Sequence, residues 1–210
     1  GLKTASGFLP VKAGVMCKLN WIALLIMNTK SYKIFSLFGI PVYFHISVVA
    51  IIIAASLVSI FNINIIVWVI CLYFLLLIHE FGHAYLSRKL NCAVHYIQVF
   101  PIHGCCVHED PGDLYSNSVI AWGGILFQLP IFVAFAVLAN SVNIKQHYFL
   151  EIPVLCFTLY NILYIFINLL PIQSLDGSLA WKFFPLYFKY GKANKKKSKS
   201  KKGKHLKVVK

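Results

Sequence analysis

Leu75-Leu76-Leu77-Ile78-His79-Glu80-Phe81-Gly82-His83 closes a stretch that begins at Ile34 and holds no Asp, Glu, Lys or Arg before Glu80. Three ionisable side chains directly following the apolar Leu75–Ile78 run are costly in a bilayer and mark a functional site. The whole chain has the same character: of 210 residues, 59% are hydrophobic and 12% charged, against roughly 25% charged in ordinary soluble domains. A water-soluble globule of this length lacks the surface polarity it needs. The abundance of Ile, Leu, Val and Phe excludes disorder for most of the chain. Six cysteines, two of them (Cys71 and Cys156) inside apolar runs, do not form the framework of a disulfide-stapled secreted module. An integral, multi-pass membrane protein is expected.

Working outward from the quoted stretch, Phe61-Asn62-Ile63-Asn64 interrupts the apolar run and divides it into two spans, about His45–Ile60 and about Ile65–Leu86. A third, about Ser118–Ala139, and a fourth, about Val154–Leu170 ended by Pro171, fill the later charge-free stretches. The expected fold class is therefore all-α: a polytopic membrane protein with about four transmembrane helices and a structured loop between the second and third. That loop, 91–116, carries Gly, Pro, Asp and short β-branched stretches and reads as a structured loop or hairpin. Residues 179–188 read as an interfacial segment with aromatics at headgroup level.

The net charge of +14 is concentrated at one end: eleven lysines follow residue 188 and no acid accompanies them. Without interleaved aromatics to stack bases, this run is a poor nucleic-acid arm. It reads instead as a disordered polybasic tail lying on anionic lipid at the cytoplasmic face. Four spans then return Lys12, Lys18, Lys30 and Lys33 to that face, with Arg88 and Lys89 there too and Lys145 opposite. The organisation expected is an N-terminal segment 1–36, a membrane core 37–188 and the tail 189–210. Residues 1–26 are expected to contribute little to function, and Met27 is a plausible natural start.

On a helix, His79 and His83 are offset by about 40° and about 6 Å, so both imidazoles can face one ion. A single zinc ion suits two neutral His nitrogens, and Glu80 can take a proton from a water whose pKa that ion lowers to about 7. A third protein ligand is needed. Lys89, six residues after His83, is unsuitable as a cation. Asp176 is the better candidate, because it lies five residues beyond Pro171 on the face where span two also ends, beside Gly177, which permits a tight backbone. Glu109 is the next. The His103-Gly104-Cys105-Cys106-Val107-His108 stretch offers soft ligands without C-x-x-C spacing, and reads as a loop folded beside the site rather than as a second metal centre.

His79-Glu80-Phe81-Gly82-His83 in a span, followed by Asn168-Leu169-Leu170-Pro171-Ile172-Gln173-Ser174-Leu175-Asp176-Gly177, resembles the site-2 protease family of intramembrane zinc metalloproteases. The second string matches the family's N-x-x-P-x-x-x-L-D-G motif at every defined position. Gly39–His45 resembles the segment entering the family's first core span, and Val99–Gly104 the stretch after its metal-binding helix. The resemblance implies that His79, His83 and Asp176 hold zinc, that Glu80 is the catalytic base, and that Asn168 positions substrate. It implies hydrolysis of a peptide bond in or near a transmembrane segment of a membrane-anchored protein, with the active site toward the cytoplasm. Ser178 replaces a second glycine common after the D-G pair, Gly123-Gly124 replaces a Gly-Pro pair, and Gln128 stands where Asn is common. Two other readings compete. A non-catalytic relative that binds membrane segments would have no need of Glu80; a metal-ion transporter would spread polar residues through several spans.

Overall fold

The computed structural model describes residues 30–141 and 148–189. The expectations for residues 1–26, Met27, Lys145 and the polybasic tail from residue 190 onward lie outside the described residues.

Two short strands open the fold. β1 (Ser31–Leu37) and β2 (Ile40–His45) pair antiparallel. Phe38 and Gly39 between them both take positive φ, 48° and 79°, the conformation that lets a two-residue turn follow the strand twist. α1 (Ile46–Val58) leads to the long helix α2 (Asn64–Lys89). β3 (Val94–Val99) and β4 (Gly104–His108) follow as a hairpin. β3 lies parallel to β2, giving one sheet in the order β1-β2-β3-β4. α3 (Leu114–Ala121) runs almost directly into α4 (Gly123–Ser141). α5 (Tyr148–Leu155), a π-helical turn at Cys156–Tyr160 and α6 (Asn161–Leu169) form another long segment. The short α7 (Gly177–Ala180) and a helical stretch over 183–189 complete the described chain.

The sheet corrects the all-α expectation. The chain is mostly helical, but four strands stand beside α2, and the loop expected over 91–116 contains the β3–β4 hairpin. Among the described residues, three helical segments are long and apolar enough to cross a membrane: Asn64–Lys89, Leu114–Ser141 and Phe149–Leu169. The span expected at His45–Ile60 is instead the 13-residue helix α1, about 20 Å long and short of a hydrocarbon core of about 30 Å. The reason is local. His45 caps the helix, its Nδ1 accepting the Ser47 N–H at 3.2 Å, and the chain turns at residues 59–61, while Ile40–His45 just before it joins the sheet.

The core sits where the sheet meets α2. Ile40 and Val42 of β2, Ile97 and Val99 of β3, and Cys106 of β4 bury against Leu76 and Ala84 of α2 and Val48 of α1. On its other side α2 meets α4 at glycine: a methyl group on Gly82 would overlap the Gly123 carbonyl, and one on Gly123 the Gly82 carbonyl. Such close backbone approach is the usual route to tight helix packing in lipid. Gly123-Gly124 thus serves helix packing. Farther along, Cys71 and Leu75 of α2 pack on Cys156 and Phe157 of the π turn.

Candidate metal centre

His79 and His83 project from the same face of α2 and are buried, as is Glu80 between them. Each imidazole is oriented by its Nδ1. His83 Nδ1 donates to the Ile120 carbonyl at 2.8 Å. His79 Nδ1 lies 3.0 Å from Gln128 Oε1 on α4 and donates to it. Gly124 forms the floor beneath His79, for a Cβ there would strike the ring. With both Nδ1 atoms protonated, a neutral ring presents its Nε2 lone pair. The two Nε2 atoms are 3.1 Å apart.

The third corner comes from the far end of the chain. After α6 ends, Leu170 turns extended and the segment 171–176 folds back. Ile172 N–H donates to the Leu170 carbonyl and Leu175 N–H to that of Ile172. Asp176 Oδ2 is thereby 2.9 Å from His79 Nε2 and 3.1 Å from His83 Nε2. Gly177 lies against the Leu169 and Leu170 carbonyls, leaving no room for a side chain. Its glycine is needed for that close approach rather than for backbone freedom. Trp181 Nε1 donates to the Leu169 carbonyl and Trp122 Nε1 to that of Ala180, which fastens the segment to α6 and α3.

Three lone-pair atoms converge within a triangle of about 3 Å edges, and no other group of three or more such ligands occurs among the described residues. Such an arrangement repels itself unless a cation is shared at its centre. Its edges are close to those of three ligands around a tetrahedral ion at about 2.0–2.2 Å. One divalent ion is also balanced in charge by the Asp176 and Glu80 carboxylates, which a buried site requires. The donor set fits zinc, with Gln128 and the Ile120 carbonyl as the partners that orient the imidazoles.

Glu80 is covered by the hairpin. It accepts the backbone N–H of Cys106 from β4, and Gly104 lies so close that any side chain there would overlap the carboxylate. The 103–108 stretch therefore folds beside the site, as expected. Glu109, the other candidate third ligand, is elsewhere: its Oε2 faces the Ala93 N–H at 3.4 Å in an exposed position. Asn168 does not reach the triangle. Its Nδ2 donates to the Tyr164 carbonyl at 3.0 Å and its side chain also meets the Tyr164 hydroxyl. The Tyr164 ring packs edge-on against His79, centroids 5.2 Å apart.

Sequence reasoning gave no role to Gln128, Tyr164, Gly104 or the Cys106 N–H. Gln128 alone carried a signal, as an amide in a charge-free span.

No family model matches the chain. It is 33% identical over 129 residues to stage IV sporulation protein FB of Bacillus subtilis, covering 60% of this chain and 43% of that protein. It is 27% identical over 184 residues to a zinc metalloprotease of Methanocaldococcus jannaschii, covering 85% of this chain and 52% of that one. The chain thus spans about half the length of the curated relatives it matches. Among solved structures, the site-2 protease from Methanocaldococcus jannaschii superposes with a TM-score of 0.58 at 24% identity, covering 72% of this chain and 69% of the other. At that identity the likeness is one of fold.

Proposed function

We propose, from the premise of this chain's kinship with the site-2 protease family, that it is an intramembrane zinc metalloprotease hydrolysing a peptide bond in or near a transmembrane segment of a membrane-anchored protein. The observation that carries this reading is the convergence of His79 Nε2, His83 Nε2 and Asp176 Oδ2 within 2.9–3.1 Å, with the buried Glu80 carboxylate beside them.

His79, His83 and Asp176 would hold the ion. Zinc bound there supplies a Lewis acid that polarises a carbonyl and brings the pKa of a water to about 7. Glu80 is the base: a carboxylate oxygen takes the proton of the attacking water and returns it to the departing amine nitrogen. The Cys106 N–H, donating to Glu80, keeps that carboxylate turned into the site. Asn168, anchored at Tyr164, is suited to hold the substrate backbone through its side-chain amide. Residues 171–174 beside Asp176 are exposed, and in this reading they form the side from which water enters. The substrate helix must unwind locally, since its own hydrogen bonds otherwise shield the carbonyl. In this reading the Asp176 face and the polybasic tail are cytoplasmic, and the tail lies on anionic lipid.

Glu80→Gln tests the assignment on purified protein in vesicles with a membrane-anchored reporter. Cleavage by the natural chain should disappear in the variant while zinc content stays at one ion per chain. Loss of zinc together with activity would make Glu80 a ligand rather than the base.

A further inference from the structure

An apolar cavity of about 320 Å³ lies beside the centre, lined by Ile51 of α1, by Trp68, Leu72, Leu75 and Leu76 of α2, by Pro101 and Ile102 at the hairpin tip, and by Tyr164. No charged residue lines it. We infer that this cavity is the subsite that receives a large aliphatic side chain of the substrate, within about two residues of the scissile bond, and that Leu72 sets the size it accepts. The inference rests on the proteolytic reading above and names what that site selects.

Three observations connect the cavity to the reacting centre. Leu75 and Leu76 stand one helical turn before His79 and Glu80, so the cavity continues the face of α2 that carries them. One turn is about 5.4 Å and an extended peptide advances about 3.3 Å per residue. A carbonyl held at His79 and Glu80 therefore brings a side chain one or two residues away over the cavity. Tyr164 is a wall of the cavity and also packs on His79, so a single side chain separates the cavity from the metal ligands. Finally, the hairpin that covers Glu80 through Gly104 and Cys106 ends in Pro101 and Ile102, so the same strand pair borders both. The volume is near the lower end of ligand pockets and the lining is almost wholly apolar, which leaves ample room for a large aliphatic side chain and none for a whole helix.

The test uses the full chain in its zinc form and a membrane-anchored reporter of mapped cleavage site. Ala, Val, Leu and Phe are placed in turn at the three positions on either side of the cleaved bond. At one position the natural chain should favour Leu over Ala by about tenfold or more in kcat/KM, the scale of one pocket filled by extra methylenes. Leu72→Trp should collapse that ratio toward one and Leu72→Ala should shift the preference to Phe, with zinc content unchanged in both. A Leu-to-Ala ratio that both variants leave intact overturns the inference. So does a change uniform across the series that follows the acyl-chain length of the vesicles, which identifies a lipid as the occupant. A second arm needs no turnover. With Glu80→Gln protein and a photoreactive leucine analogue at the favoured position, or at each of the six in turn where the natural chain is inactive, crosslinks should fall on α2 residues 68–76 or on Ile102. Crosslinks elsewhere overturn the subsite; crosslinks there with no cleavage by the natural chain leave the subsite standing and remove the proteolytic reading.

Discussion

His79 and His83 each use one ring nitrogen on a neighbour and aim the other at Asp176, and this division carries the proposed chemistry. Removing Asp176 leaves two imidazoles with no anion to complete the set, so Asp176→Ala should lower zinc content sharply. Glu109→Ala, at an exposed position away from the triangle, should leave it near that of the natural chain. Elemental analysis of purified, folded protein decides, and equal zinc in Asp176→Ala and the natural chain would remove Asp176 from the ligand set. Gln128 acts one step farther out. Gln128→Leu keeps the volume but takes away the acceptor that fixes the His79 tautomer. It should weaken zinc binding by about 10–100-fold, read by titration against a competing chelator. At this scale the sequence was informative wherever the residue type was out of place: two histidines and a glutamate ending an apolar run, and an aspartate beyond a proline. It was silent on Tyr164, an ordinary aromatic in an apolar helix. It was equally silent on the Ile120 carbonyl and the Cys106 N–H, because main-chain groups have no residue type to announce them.

The helices were legible because apolar length is sufficient to specify them in a bilayer. The hairpin was legible because Gly, Pro and Asp punctuate 91–116. β1 and β2 were not: β2 lies inside a charge-free run, and what makes it a strand is pairing with β1 on one side and, on the other, with β3, which lies about fifty residues later in sequence. The element that follows the hairpin has a clear start signal. Asp113 caps α3, its side chain accepting the Ser116 N–H at 2.8 Å. The hydroxyl and backbone N–H of Ser116 hold its carboxyl below the usual carboxylate range. Because α3 carries the Ile120 carbonyl that orients His83, the cap also supports the centre. Asp113→Ala should cost about 1 kcal/mol at neutral pH. A carboxyl with a folded-state pKa below its unfolded value stabilises fully above the unfolded pKa of about 3.9, and that contribution is lost as pH falls through the folded value. The gap between variant and natural chain in thermal unfolding should therefore be full at pH 6 and close in stronger acid. A gap independent of pH would mean that the Ser116 contacts contribute nothing as charge-assisted bonds.

Across the whole molecule, β2 and α1 run in series alongside α2, where the sequence reading placed one span over about His45–Ile60. The β1–β2 turn is tied to the C-terminal end of α2, where Arg88 Nη1 donates to the Phe38 carbonyl at 2.8 Å and the Phe38 ring meets Phe81. α2 begins at Asn64, at its other end, 26 residues away, which is about 39 Å along a helix. The chain from Ile40 to Ile63 must cover that distance. β2, with 6 residues, extends about 20 Å and α1, with 13, about 20 Å more. Strand and short helix in series thus match α2, and α1 packs beside its N-terminal part, with Ile51 facing the same cavity as Trp68 and Leu72. The backbone groups of β2 are paired on both sides in the sheet and its inner face is covered by α2, which is what a strand at membrane depth requires. In the proposed membrane reading, the turn between α1 and α2 is on the opposite side of the bilayer from the end of α2. Single cysteines placed at Asn62 and at Lys89, in a background lacking the native cysteines, should react with a membrane-impermeant maleimide from opposite faces of sealed vesicles. Labelling of both from one face would show that 40–63 enters and leaves on the same side, and would also break the lysine argument that sets the Asp176 face toward the cytoplasm.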